Sequence, residues 1–221
     1  LAASVIVIVL WITALHFTEI QDVSMMFAIL LFIDATTMSI LWVGVTLYFE
    51  RDEGSLRSLL VTPITHLEYL LAKISANCAL NIQTMLILYL YAHFLREIHL
   101  DFLPLLAAVA LVAIFHSLLG LLLTYYSDSF THLLMNMMKY VFVFMLPVML
   151  AEVGVFQSEL VRNLLYVVPT RASMTLITAS TGLLEAWEIW FSAAYLLIGC
   201  GFLLRIALRK FDEFAAGEGG Q

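Results

Sequence analysis

Two ionisable residues stand where such residues are expensive. Asp34 lies in the run "LFIDATTMSI" and His116 in "LVAIFHSLLG", each near the middle of an apolar segment. A charge at the centre of a membrane helix costs about 3 kcal/mol on insertion scales, so an ionisable residue there is a functional candidate by default. As a carboxylate, Asp34 can hold a cationic molecule or carry a proton. Alternatively it is packing glue, paired with His116, Thr36, Thr37 or a backbone group. Asn77, Asn81 and Thr84 recur on one face of the following apolar segment, where interhelical hydrogen bonds are their ordinary use and lining a substrate path is the alternative. Asp34, Asn77, Asn81 and His116 are the candidate pathway residues. His93 and Glu97 sit at i, i+4, as in a metal pair, but His99 falls off that face, which favours a polar rim over a metal site. Neither H-E-x-x-H nor paired Asp residues in neighbouring segments occur, so a membrane-embedded enzyme lacks a catalytic set.

The elements that must position these residues follow from composition. The chain has 221 residues, 63% hydrophobic and 12% charged, and a mean hydropathy of +1.00. So few polar residues cannot cover a water-facing surface. The solvent must be lipid, where helices satisfy their own backbone. Six apolar segments read as spans: 1–17 (short, as if an upstream stretch were cut), 24–49, 67–94, 102–126, 132–151 and 186–208. Residues 152–185 form a mixed stretch in which Pro169 splits two pieces, 160–168 and 172–181. Each is too short to span and reads as re-entrant or interfacial. Pro147 is expected to kink the fifth span. Cys78 and Cys200 both lie in apolar runs, so no disulfide framework is expected. The net charge of -7 comes with no basic stripe for nucleic acid. No cleavable signal peptide is visible, and the tail "AAGEGGQ" reads as disordered.

Lys and Arg set the orientation. Arg51, Arg57, Lys73, Arg205, Arg209 and Lys210 fall on one side of the spans, and Arg96, Arg162 and Arg171 on the other. The first side, with both termini, is expected to be cytoplasmic. Trp187 and Trp190 then suit an outer aromatic belt.

On the cytoplasmic side, seven charges crowd into residues 50–73: Glu50, Arg51, Asp52, Glu53, Arg57, Glu68 and Lys73. Gly54 permits a sharp turn. Leu56, Leu59 and Leu60 then have the i, i+3, i+4 spacing of a short amphipathic helix, with Arg57 off that face. Thr62, before Pro63, ends it. Thr65 and Glu68 form a capping box that starts the next span.

This stretch, "ERDEGSLRSLLVTPITHLEYLLAK", closely resembles the motif after the second span of ABC-2 type transporter permeases. There an acidic-basic cluster is followed by E-G-S/T-L-x-x-L-L-V-T-P, a few residues, and E-x-L-L-x-K. Glu53, Gly54, Ser55, Leu56, Leu59, Leu60, Val61, Thr62, Pro63, Glu68, Leu70, Leu71 and Lys73 fit it. The six-span layout and the broken segment between spans five and six resemble the family too. The family's cytoplasmic lead-in helix has no counterpart here. Within the family the chain looks like the short drug-export permeases, including those for fluoroquinolones, although no motif fixes the substrate.

The resemblance implies an all-α integral membrane fold, with residues 1–211 as one ABC-2 type transmembrane domain and 212–221 as a tail. It implies that the short helix couples the permease to an ATP-hydrolysing partner through Glu50, Arg51, Glu53, Gly54, Leu56, Arg57, Leu59, Leu60, Thr62 and Pro63. None of the glycines is followed by Lys, so G-x-x-x-x-G-K-S/T is absent, and the chain itself is expected to bind no cofactor. ATP and Mg²⁺ would be used by the separate ATPase subunit. A second permease copy or a paralogue would complete the path for a drug-like, lipid-like or other amphipathic substrate, in the inner or plasma membrane. A membrane-embedded enzyme or a non-transporting membrane assembly protein is the alternative.

Overall fold

The computed structural model describes residues 2–17, 23–56, 62–156, 158–181 and 184–216, and side chains within the range 5–211. In chain order the helices are α1 (Ala2–Phe17), α2 (Val23–Asp52), α3 (His66–Leu95), α4 (Phe102–Tyr125), α5 (Phe130–Glu152), α6 (Glu159–Leu165), α7 (Pro169–Thr178) and α8 (Ala186–Ala216). All described regular structure is helical, as a chain dissolved in lipid requires.

Among the described residues, five helices are long and apolar enough to cross a membrane: α2, α3, α4, α5 and α8. The expected first span appears as α1, an apolar helix of 16 residues, short of that length. The last helix runs to Ala216, so regular helix occupies the first residues of the segment expected to be a tail. Its charges are three cations, Arg205, Arg209 and Lys210, followed by Asp212 and Glu213, and such a sequence suits a helix leaving the apolar zone.

α4 is the central post. Its buried residues run from Leu105 to Thr124, and it packs on α2, α3 and α8. α2 and α4 meet almost backbone to backbone. A Cβ on Gly120 would lie 2.7 Å from the Ile40 carbonyl oxygen, and the Thr124 hydroxyl donates to the Gly44 carbonyl at 3.1 Å. Small residues at a crossing replace the hydrophobic drive that lipid removes.

Two helices carry π-helical turns that periodicity does not announce: Asp34–Met38 in α2 and Val141–Met145 in α5. The second ends two residues before Pro147, whose missing N–H breaks the regular ladder. The two turns touch, since the Thr37 hydroxyl donates to Met145 Sδ at 3.2 Å.

The mixed segment divides at Pro169, as expected, into α6 and α7. α7 is no surface helix: Thr170, Ala172, Ser173, Met174, Thr175, Leu176 and Ile177 are all buried, against α8, α2 and α4. Two of its polar side chains bond to the backbone, Ser173 to the Pro169 carbonyl at 3.0 Å and Thr170 to the Phe144 carbonyl, while the buried Thr175 hydroxyl has no partner.

Candidate functional site

Asp34 opens the π turn of α2 and is only 4% exposed. A π turn adds a residue to one helical loop and re-aims the side chains beyond it. Here it sets Asp34 toward α1 and α3. The Trp11 indole N–H donates to Asp34 Oδ1 at 3.2 Å, and Thr84, whose hydroxyl donates to the Leu80 carbonyl at 3.2 Å, stands beside the same carboxylate. These partners replace His116, Thr36 and Thr37, the pairs considered from sequence. Thr36 instead donates to the Phe32 carbonyl at 2.5 Å. No ion pair to Asp34 is found among the described residues.

Asp34, Asn77, Asn81 and Thr84 line one cavity of about 260 Å³, walled by Val7, Met38, Leu41, Trp42 and Leu80. Three of the four candidate pathway residues thus come together. The fourth does not. His116 is fully buried in α4, with Nδ1 2.9 Å from the Val112 carbonyl and Nε2 3.1 Å from the Tyr140 hydroxyl. A carbonyl only accepts, so Nδ1 carries the hydrogen and Nε2 accepts from Tyr140. Nδ1 is spent within α4, and Nε2 joins α4 to α5. Trp11 and Thr84 were not singled out as partners of Asp34. The signal that could have found Trp11 is that an indole N–H in an apolar helix needs an acceptor.

The asparagines have one satisfied end each. Asn77 Nδ2 donates to Ser117 Oγ at 2.9 Å, and Asn81 Nδ2 donates to Ser39 Oγ at 3.0 Å and to the Asn77 carbonyl at 2.9 Å. Neither Oδ1 atom has a partner. A buried acceptor left without a donor costs about 1–3 kcal/mol, and native structures tolerate few.

The second region lies at one end of the bundle, where α2 turns toward α3. Gly54 has φ +71, a conformation open to glycine and strained for other residues. The capping box is present: Thr65 N–H donates to Glu68 Oε2 at 2.8 Å and Glu68 N–H to Thr65 Oγ1 at 3.3 Å. Glu50 accepts from both Lys73 Nζ and the Tyr69 hydroxyl, so it bolts α2 to α3. Arg51 donates to the Ser127 carbonyl at 3.2 Å, and its guanidinium lies 4.9 Å from the Tyr48 ring centre. Glu50 and Arg51 therefore have partners inside this chain, which their expected docking role did not foresee. Leu56 is buried with Leu70, Ile74, Leu121 and Phe211. Arg57, Leu59 and Leu60 lie outside the described residues. Glu53, Thr62 and Pro63 are exposed.

At the opposite end, Arg171 donates to Glu152 at 2.9 Å, and the Tyr166 hydroxyl donates to Glu188. Burial, then that carboxylate, hold the Tyr166 hydroxyl above its ordinary range, so it stays a donor. Trp187 and Trp190 are exposed on the first turns of α8.

The sequence of residues 1–218 matches the model of the fluoroquinolones export permease protein family. Two curated proteins are similar to this chain, both named fluoroquinolones export permease protein, from Mycobacterium tuberculosis strains CDC 1551 / Oshkosh and ATCC 25618 / H37Rv. Each is 27% identical over 190 residues, covering 85% of this chain and 77% of the relative.

Proposed function

The chain belongs to the fluoroquinolones export permease protein family, and from that premise we propose that it is the membrane subunit of an ATP-driven exporter of drug-like amphipathic molecules. Two copies, or this chain and a paralogue, would enclose the path. Each would dock on one ATPase subunit, which would bind ATP and Mg²⁺. Hydrolysis would drive alternating access, with the termini and the α2–α3 turn in the cytoplasm of a cell-membrane protein.

The observation that carries the reading is the α2–α3 turn. Gly54 sets a left-handed turn, Thr65 and Glu68 cap the next helix, and Glu50 ties both helices through Lys73 and Tyr69. Such a turn is stiff. A push on the exposed residues Glu53, Thr62 and Pro63 would move α2 and α3 together rather than bend a loop. α2 and α3 are also the helices that carry Asp34, Asn77 and Asn81. The chain lacks a phosphate-binding loop, so the force must come from outside it.

The test is reconstitution. The full chain is co-expressed with an ATPase subunit from the same genome, and the purified pair is placed in vesicles with a fluorescent fluoroquinolone. ATP-dependent drug movement toward the face opposite the ATPase is expected. Single cysteines at Ser58 and Asp212 should label from the ATPase side, and one at Ser158 from the other. Drug movement by the chain alone without ATP, or labelling of Ser58 from the far side, would overturn the reading.

A further inference from the structure

Two arginines near the end of α8 stand without partners, and the rest of their helix face says what they meet. Arg205 and Arg209 are exposed, and neither makes an ion pair or hydrogen bond among the described residues. The neighbouring cation, Lys210, instead lies over the Tyr126 ring, 5.0 Å from its centre. Arg205 follows Trp187 by 18 residues, about five turns, so the two stand on one line along the helix. Between them on that line Phe191, Ala194, Ile198, Gly201 and Phe202 are all exposed. The opposite line packs inward, with Leu196, Ala207 and Phe211 fully buried. Helix–helix contacts in lipid favour small residues. Bulky apolar side chains with aromatics at one end and bases at the other are what lipid itself meets. The depth agrees. At 1.5 Å per residue, Arg205 lies about 27 Å and Arg209 about 33 Å beyond the level of Trp187, and the hydrocarbon core is about 30 Å thick. With Trp187 at one interface, the two arginines bracket the other, at the level of the lipid phosphates. Beside them a Cβ on Gly201 would meet nothing within 4 Å, so the helix backbone is open there.

We propose that this face of α8 binds an anionic phospholipid, with the phosphate on Arg205 and Arg209 and an acyl chain along Phe202, Gly201 and Ile198. The guanidinium fork matches phosphate oxygens, and an unpaired Arg at a membrane surface gains most from a headgroup with net negative charge. A phosphatidylcholine phosphate carries its own trimethylammonium, which the two arginines repel. A phosphatidylglycerol phosphate carries no cation. Half of the hydrocarbon core is about 15 Å, the length of about ten helical residues, so a chain descending from Arg205 stays on the exposed apolar line. A free phosphate would find the charges but have nothing to lay on that line. A soluble acidic protein would have to reach arginines sunk to the depth of the lipid phosphates. The inference rests on the proposed function only for the leaflet, which that reading makes the cytoplasmic one. Binding itself needs neither ATPase nor cargo.

The test therefore uses the full chain alone. In detergent micelles it is offered phosphatidylglycerol and phosphatidylcholine with the same acyl chains in equal amounts, and native mass spectrometry counts the lipids retained. Phosphatidylglycerol is expected to be retained about tenfold or more over phosphatidylcholine, the size of two basic residues acting at a membrane surface. Arg205→Gln combined with Arg209→Gln should bring the two lipids within about twofold. Lys210→Gln should leave the preference unchanged, because that ammonium is turned to Tyr126. Excess glycerol phosphate, the headgroup without its chains, should not displace the lipid. Equal retention of the two lipids by the wild type, or an unchanged preference in the double variant, overturns the proposal. So does an equal loss in Lys210→Gln, which would mean a diffuse surface charge, and so does displacement by glycerol phosphate, which would mean a free-anion site. Should the double variant not fold, the single variants serve, each expected to keep about a threefold preference. Equal lipid retention by a wild-type chain that still exports sinks this inference alone. An intact preference in a chain whose Asp212 cysteine labels from the side opposite the ATPase sinks the proposed orientation alone.

Discussion

Glu50 and Asp34 are carboxylates on the same helix, 16 residues apart, and the fold treats them oppositely. Glu50 receives Lys73 and Tyr69 at the end of the bundle, where both partners are half-buried. Asp34 sits deep between helices with an indole and a hydroxyl, near two amide oxygens that receive nothing. A compensated charge holds helices in place. An uncompensated one is a standing cost that a ligand can relieve. The contrast separates a braced end of α2 from a buried, lightly satisfied middle.

The largest effect is expected at the mechanical end. A Cβ on Gly54 meets no neighbour within 4 Å among the described residues, so the penalty of Gly54→Val is set by the positive φ, on the order of 1–2 kcal/mol. The variant should insert normally yet lose about tenfold or more of ATP-driven transport, because the turn would be misaimed. Glu53→Lys, at the exposed corner, should weaken ATPase pull-down instead. Wild-type transport by both would reduce the turn to an ordinary loop.

Next come two neutralisations of opposite sign. Glu50→Gln strands Lys73 and should lower stability by about 1–2 kcal/mol, between the values for exposed and buried pairs. Asp34→Asn removes an uncompensated charge while keeping an acceptor for Trp11, and should raise stability by about 1 kcal/mol. In nanodiscs these become a fall and a rise in Tm of about 2–6 °C. Equal signs would erase the contrast between the regions.

The exchange Glu50→Lys with Lys73→Glu should recover about half of the Glu50→Gln loss, since the charge pair survives while the Tyr69 bond does not. Thermal melts of the single and double variants give the coupling directly. The smallest effect is expected at Asn77→Leu. It deletes an orphan acceptor and one bond to Ser117 together, so the change should stay within about 1 kcal/mol. A loss of several kcal/mol would mean that Asn77 is structural glue.

Much of this was legible in the residues. Gly54 and the Thr65–Glu68 box are local signals, and local signals depend on neighbours in sequence that the chain always carries. The division of the mixed segment at Pro169 is of the same kind. α1 could not be read as a full span or a short helix from hydropathy alone, because both look apolar. The burial of α7 was equally hidden, since a ten-residue helix with several Ser and Thr reads as interfacial until protein is seen around it.

The residues in their order were enough to set the solvent, the helical class, the positions of the breaks and the stiff turn, because these depend on composition and on contacts a few residues apart. Which side chains meet was settled by folding alone. It gave Asp34 to Trp11 and Thr84 rather than His116, sent His116 to Tyr140, and placed Glu50 against Lys73 and Tyr69. Two π turns and the close crossing at Gly120 set the rotation of α2 against its neighbours. Periodicity at about 3.6 residues per turn cannot register a π turn, yet one added residue rotates everything after it by about 100°. Which polar side chains share a cavity is therefore a property of packing, not of spacing.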